Sequence, residues 1–345
     1  TPTPTPTPPP PSVVTTCTSF DYHTVGSYNI SAYMSDAAWS TRLAGLRGII
    51  NASGAKVVAV QETGTGLSAV LSGLSGTWVP AVSWPKDVSG WTGSNIIYDK
   101  DVYTPISSGY FKGDDVINPT TNNLGITYDK SLANPKAHHR NTPWAILQKV
   151  GRTTRCTTLV VASLHGNTQG QMILPSNLST DQQKKDSQLF RKYFFNSHVA
   201  RGVAKKLASY AARQHVPANP SPVVLSDLPI IVAGDFNNWY QTTTYKGEVA
   251  KSGPKILKDL GGISPFNGYA YPLADLRFKK HGFEPTTSTT TAAQKAFATN
   301  FKKTAVFDYI FAAYKYGVDL RSFDTRPDDS KYSDHKMVVA KIGFK

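Results

Sequence analysis

The residues best suited to chemistry stand at the ends of short apolar runs. Ile230-Ile231-Val232-Ala233-Gly234 ends abruptly in Asp235, and Asn237 follows two positions later. A carboxylate can bind a hard cation or polarise a water, and an amide can donate to an anionic oxygen or orient an attacking group. If the backbone stays extended through Asn237, both side chains leave one face of the strand and address a single small target. Gly-Asp-x-Asn is equally the composition of a turn. The pattern recurs along the chain: a run at Ser27-Tyr28 meets Asn29, Lys56 to Gln61 ends in Glu62, Thr157 to Leu164 ends in His165, Val306-Phe307 meets Asp308, and the last apolar run follows Ser333-Asp334-His335. A purely structural sheet has little reason to build such a set, because each desolvated polar group costs stability unless partnered. Gathered at one edge, these side chains form an oxygen-rich cation site flanked by two imidazoles. Carboxylates and amides without thiolates favour Mg²⁺, with Mn²⁺ or Ca²⁺ as alternatives, over zinc.

The elements that must position these residues follow from hydrophobic spacing. Strands are expected at 27–31, 56–62, 94–98, 142–150, 157–165, around 230–235, at 306–311 and at 336–342, where β-branched and apolar residues cluster. Trp39, Leu43, Leu46 and Ile50 give a helix from Asp36 to Ile50, stopped by Asn51-Ala52-Ser53-Gly54. From Asp181 to about Gln214, Leu189, Tyr193, Val203, Leu207 and Tyr210 form an apolar helical stripe, with Lys184, Lys185, Arg191, Lys192, Arg201, Lys205, Lys206 and Arg213 largely elsewhere. That basic face is either solvated surface or a set of phosphate contacts. A short helix and loop are expected over 253–268, and a polar loop over 286–291. No Gly-rich phosphate loop and no solenoid or propeller repeat is present, so dinucleotide-binding and P-loop readings fail.

Bulk properties set the frame. The chain has 345 residues, 40% of them hydrophobic, and a formal charge of +14. It can bury a full core, and it contains no apolar run long enough to span a membrane. The charge excess favours polyanionic partners, although basic exported proteins also carry it for solubility. Residues 1–16, which open Thr-Pro-Thr-Pro, form an extended spacer, read as the tail of a linker to another domain or the start of a processed, exported chain. Residues 17–345 form one domain, expected to be a monomer. Cys17 and Cys156 are the two cysteines. They fit a single disulfide in an oxidising compartment, the alternative being two unrelated buried thiols.

Taken together, the motifs resemble those of the endonuclease/exonuclease/phosphatase superfamily. Ser-Tyr-Asn29-Ile resembles its opening strand, Val-Gln-Glu62-Thr its metal carboxylate, Ser-Leu-His165 its first histidine, and Gly-Asp235-Phe-Asn237 its central motif. Phe-Asp308-Tyr-Ile resembles its histidine-orienting acid and Tyr-Ser-Asp334-His335 its terminal motif. They run in the family's order from residue 27 to about 342. The resemblance implies a four-layer α/β sandwich, two packed mixed sheets with helices outside, and metal-assisted hydrolysis of a phosphoester. In that scheme Asp308 orients His335, which acts as general base or as an electrostatic clamp. Asp235 positions the attacking water, Asn237 and His165 bond phosphoryl oxygens, and Glu62, with Asn29 and Asp334, holds the cation. Arg140 resembles a strand-leading arginine that touches phosphate, with a plain surface arginine as the alternative. Two departures stand out. His165 and Asp235 are separated by about 70 residues that include the basic helix, and Ser94-Asn95 stands where deoxyribonuclease-like members carry a glutamate supporting the first histidine.

Three functions follow from this reading. The first is an exported nuclease, with Arg201, Lys205 and Lys206 contacting the nucleic-acid backbone. The second is a sphingomyelinase or another phospholipid or inositol phosphate phosphoesterase, with Trp78, Trp84 and Trp91 dipping into a membrane interface, although packing in the core is the favoured alternative for these rings. The third is a catalytically silent binding module on a Thr/Pro stalk.

Overall fold

The computed structural model describes residues 17–32, 39–86, 88, 92–112, 116, 120–121, 127–128, 140–152, 154–174, 176–213, 228–238, 242–259, 274–276, 280, 299, 306–314, 317–326 and 332–345. The spacer at 1–16, Trp91 and the loop at 286–291 lie outside these residues.

In chain order the strands are β1 (Asp21–Asn29), β2 (Val57–Gln61), β3 (Trp78–Pro80), β4 (Ser94–Asp99), β5 (Tyr103–Phe111), β6 (Thr120–Thr121), β7 (Thr127–Tyr128), β8 (Thr142–Lys149), β9 (Thr158–His165), β10 (Ile230–Asp235), β11 (Thr242–Tyr245), β12 (Glu248–Lys251), β13 (Ala274–Asp275), β14 (Asp308–Ala313), β15 (Val318–Thr325) and β16 (Val338–Phe344). The helices are α1 (Trp39–Ser53), α2 (Leu67–Leu71), α3 (Asp181–Arg213) and α4 (Gly253–Asp259). Two six-stranded mixed sheets carry the architecture, ordered β15-β16-β1-β2-β4-β3 and β13-β14-β10-β9-β8-β5.

Alternation along the strands divides the core in two directions. Val57, Ala59 and Ile96 point inward and meet Leu159, Val161, Ile231, Ala233 and Ile310 of the second sheet. Their neighbours Val58, Val60 and Ile97 point outward under Leu46 and Ile50 of α1 and Val70 of α2. On the far side, Val160, Ala162 and Val232 lie under Phe190, Tyr193, Val203 and Leu207 of α3 and Leu257 of α4. The result is the four-layer α/β sandwich expected from sequence. Because both faces of β2, β4, β9, β10 and β14 are covered, every residue in them is buried, and they read as continuous apolar runs rather than alternating ones.

Register brings the polar ends to one edge. The parallel pair β1/β2 aligns Asn29 with Gln61, and the parallel pair β9/β10 aligns His165 with Asp235. Antiparallel β14 starts with Asp308 opposite Asp235. At Gly234, φ is +154°, and a Cβ would stand 1.8 Å from the Leu164 carbonyl oxygen; only glycine lets β10 lie this close to β9 just before the acid. At the other end of the sandwich Cys17 and Cys156 form a disulfide, their Cα atoms 6.2 Å apart.

Candidate active site

The turns that follow the strands aim the polar groups. Ser31, Glu62 and Asn237 have φ of +47°, +53° and +49°, and they are three of the four non-glycine residues with positive φ among those described. Backbone held in this sparsely populated region clusters at functional sites, because the surroundings must over-determine it. The expectation that Asp235 and Asn237 share one face of an extended strand is corrected here. The strand stops at Asp235, and the Asn237 N–H folds back to donate to Asp235 Oδ1 at 2.7 Å. The motif is therefore strand end and turn together, and its second amide is delivered by the turn.

Asn29, fully buried at the end of β1, is the hinge of the site. Its Nδ2 donates to Glu62 Oε1 and to Asp235 Oδ2, each at 3.0 Å, while its Oδ1 accepts from the Ser31 N–H at 3.0 Å. His335 Nδ1 lies 2.8 Å from Asp308 Oδ2, and its Nε2 lies 3.7 Å from Asp235 Oδ2. His165 Nε2 stands 3.6 Å from Asp235 Oδ2 and 3.7 Å from Glu62 Oε1. Asn237 Nδ2 donates to the Gly166 carbonyl at 2.9 Å, as does Arg140 Nη1 at 2.8 Å. Asp334 sits behind this group and accepts from the Ser31 hydroxyl.

Burial and charge set the protonation states. Burial alone would strip the proton from His335, but the carboxylates of Asp308, Asp235 and Asp334 outweigh it and hold the imidazole up at about 10, so it is a cation at neutral pH. Burial raises Asp235 to about 6 against the opposing pull of His335. Burial also raises Glu62, helped by Asp235 and opposed by the Asn29 amide. His165 falls well below its ordinary value, through burial and then the charges of Arg140 and His335, which makes it a neutral imidazole at pH 7.

Glu62, His165 and Asp235 offer ligand atoms within 4.8 Å of one another, as do Asp235, Asp308 and His335. The donor set fits a hard divalent cation on the Glu62 side: two carboxylates raised by burial share one amide donor, and the Glu62 side chain keeps 31% of its surface open. On the other side His335 already supplies the positive charge. Asn29 turns its amide nitrogen toward the two carboxylates, and its oxygen accepts from the Ser31 N–H.

Structures with this arrangement of strands and helices are known. An endonuclease/exonuclease/phosphatase from Bacteroides vulgatus superposes with a TM-score of 0.59 at 14% identity, covering 94% of this chain and 100% of its own. An endonuclease/exonuclease/phosphatase family protein from Bacteroides thetaiotaomicron gives 0.57 at 16% identity, over 95% and 99% of the two chains. The fold is that of the endonuclease/exonuclease/phosphatase superfamily. A mannosyl-6-phosphatase from Bacteroides thetaiotaomicron shares it, with a TM-score of 0.55 at 16% identity over 93% of this chain and 100% of its own. No family model matches the chain, and no curated protein matches it in sequence.

Within the superfamily fold, the structure gathers Asn29, Glu62, His165, Asp235, Asn237, Asp308 and His335 in one cluster, places Asp334 behind it, and sets Arg140 against the loop after β9. Arg201, Lys205 and Lys206 lie elsewhere, on α3. Arg201 and Lys205 are exposed one turn apart, whereas the Lys206 ammonium packs 5.6 Å from the Phe111 ring centroid. Trp78 takes the core-packing alternative: it is buried under α2, and its Nε1 donates to the Ser75 carbonyl at 2.9 Å. Trp84 is half-buried, its ring 5.0 Å from that of Tyr110. The Asn95 side chain is engaged with the Val82 backbone at 2.9 and 3.2 Å.

Two site residues had not been singled out from sequence. Arg42, 1% exposed, donates to the carbonyls of Ile30, Ser31 and Tyr332 at 2.7 to 3.0 Å, tying the turn after Asn29 to the segment that carries His335. Thr299 Oγ1 accepts from the Phe307 and Asp308 N–H groups at 2.8 and 3.1 Å and so fixes the start of β14. An arginine among the apolar positions of α1 was the available signal for the first. Nothing in the sequence marks the second.

Proposed function

We propose that this chain is a divalent-cation-dependent phosphoesterase that hydrolyses phosphodiester bonds, with nucleic acid as the leading substrate. One observation carries the reading: His335, its Nδ1 2.8 Å from Asp308, stands 3.7 Å from Asp235, which shares the Asn29 amide with Glu62. Glu62 would be the principal holder of Mg²⁺, which when bound neutralises phosphate charge and stabilises the leaving oxygen. Asp235, ionised above about pH 6, orients the attacking water and takes its proton. His335, charged at neutral pH, clamps a phosphoryl oxygen as negative charge grows there; this favours the electrostatic role over that of general base. Neutral His165 and the amide of Asn237 bond the remaining oxygens, and Arg140 steers the phosphate. The charge of +14 and the exposed Arg201 and Lys205 favour a polyanion as substrate. The disulfide favours an exported protein.

A phosphomonoesterase acting on sugar phosphates is the second reading, favoured by the mannosyl-6-phosphatase of like fold. Incubation with plasmid DNA, RNA, sphingomyelin vesicles and mannose 6-phosphate, each with and without Mg²⁺, distinguishes them. The proposal predicts Mg²⁺-dependent cleavage of DNA or RNA. Release of inorganic phosphate from the sugar phosphate alone would transfer the assignment to the second reading.

A further inference from the structure

The two residues after β9 form a junction between the candidate site and α3. The Gly166 N–H donates to the Asp235 carbonyl at 2.8 Å, and the Gly166 carbonyl accepts from both Arg140 and Asn237. A Cβ at position 166 would lie 2.2 Å from the Phe236 carbonyl oxygen and 3.1 Å from Asn196 Nδ2, so this peptide is packed between the turn after β10 and α3. The next peptide is clasped by a side chain. The Asn167 N–H donates to Asn196 Oδ1 at 2.9 Å, and Asn196 Nδ2 donates to the Asn167 carbonyl at 3.0 Å. Asn196 thus makes, from the middle of a helix, the two hydrogen bonds that a neighbouring strand would make. Asparagine is a poor residue for a helix interior, and a buried amide is costly unless bonded. At 3% exposure, Asn196 offsets both penalties only through Asn167.

We infer that Asn196 is a positioning residue for the proposed reaction: by clasping the Asn167 peptide it fixes the Gly166 carbonyl, and through it the Arg140 guanidinium and the Asn237 amide, where phosphate oxygens are received. The inference rests on the phosphoesterase reading. It assigns α3 a part in catalysis that its exposed basic face does not, since the contact lies on the buried side of the helix. Groups displaced by about 1 Å from a reacting centre can lose on the order of 100-fold in rate.

Asn196→Leu removes both bonds while keeping the branched shape and heavy-atom count of the side chain. Ser197→Ala is the control, because Ser197 Oγ donates only to the Phe194 carbonyl within the same helix, at 2.7 Å. Three readouts are compared: thermal midpoint, kcat and KM for a chromogenic phosphodiester with Mg²⁺, and hydrogen exchange at the Gly166 and Asn167 amides in the metal-free protein. We expect N196L to lower kcat about 100-fold with KM changed by less than about threefold, and to speed Asn167 exchange by about tenfold or more. S197A should keep parental kcat and parental exchange in the loop. If N196L does not fold, Asn196→Asp carries the comparison, since it keeps the acceptor for the Asn167 N–H and loses the donor; kcat should fall at least about tenfold. Parental kcat in a folded Asn196 variant, or equal losses in N196L and S197A, overturns the inference. A parent inactive on every phosphoester sinks the proposed function instead, and the clasp is then judged by exchange alone: unchanged Asn167 protection in N196L overturns it.

Discussion

Replacing Asp308 with Asn removes a negative charge and keeps the shape of the side chain. Asp308 is fully buried, and its Oδ2 lies 2.8 Å from His335 Nδ1. A hydrogen bond to a charged group contributes about 1.5–3 kcal/mol, and each 1.36 kcal/mol is a factor of ten in rate. If the bond is fully expressed in the transition state, Asp308→Asn should lower kcat/KM roughly 10- to 150-fold. Imidazoles that also lose their correct tautomer can fall by about 10⁴. The assay is steady-state hydrolysis of a chromogenic phosphodiester at saturating Mg²⁺ from pH 6 to 10, with the thermal midpoint measured in parallel. The pH profile gives a second reading. Asp308 is foremost among the groups that keep the proton on His335 against burial, so the alkaline limb should move to lower pH in the variant. A folded D308N enzyme within about threefold of the parent, with the parent's alkaline limb, would refute the role given to the Asp308–His335 pair.

Other outcomes follow from the same structure. Glu62→Gln keeps the Asn29 contact and removes the charge, so Mg²⁺ affinity measured by calorimetry should weaken by about tenfold or more; unchanged affinity would place the cation elsewhere. His23, near the disulfide, has Nδ1 2.7 Å from the Tyr103 hydroxyl oxygen and Nε2 2.6 Å from the Cys156 carbonyl oxygen. Burial, then Lys149, lowers it to about 4. A lowered folded pKa contributes stability that is present above about pH 6.5 and lost as pH falls through about 4. The thermal midpoint of the parent should therefore fall more steeply between pH 7 and 4 than that of His23→Gln; identical slopes would mean that His23 does not set the acid response. The disulfide closes a sequence separation of 139, for which the chain-entropy model gives about 5 kcal/mol as an upper figure, with about 2–4 typical. Denaturant unfolding of the Cys17→Ser, Cys156→Ser double variant should show that loss, and a loss under about 1 kcal/mol would contradict it.

Much of the sandwich was legible because β2, β4, β9, β10 and β14 are covered on both faces, so apolar residues stand at consecutive positions in each. Asn29, Glu62, His165, Asp235 and Asp308 were conspicuous for the same reason: each is a polar group ending or starting such a run. Four edge strands, β3, β5, β13 and β15, were not anticipated. β5 carries Pro105, Ser107, Ser108 and Gly109 and is largely exposed, β15 is mostly half-buried, and β3 is three residues long. Strands paired on one side only need no continuous apolar pattern. The geometry of Asn237 was hidden for a different reason. Period-two reasoning holds only while the backbone is extended, and the positive φ after Asp235 ends it. The contacts of Arg42 with Tyr332 and of Asn196 with Asn167 bridge segments far apart in sequence, and no spacing rule reports them or the hydrogen bonds of Thr299 to the start of β14.

The central claim is that the Glu62, Asp235, Asp308 and His335 cluster hydrolyses phosphoesters with a divalent cation. The most direct measurement is the rate of phosphodiester hydrolysis by the parent and by His335→Gln, each in Mg²⁺ and in excess chelator, with folding checked by circular dichroism. The account predicts cleavage by the parent in Mg²⁺, its loss in chelator and its return on adding Mg²⁺. His335→Gln should fold and be slower by about 10²–10⁴. Hydrolysis that survives the chelator, or a folded His335→Gln as fast as the parent, would contradict it.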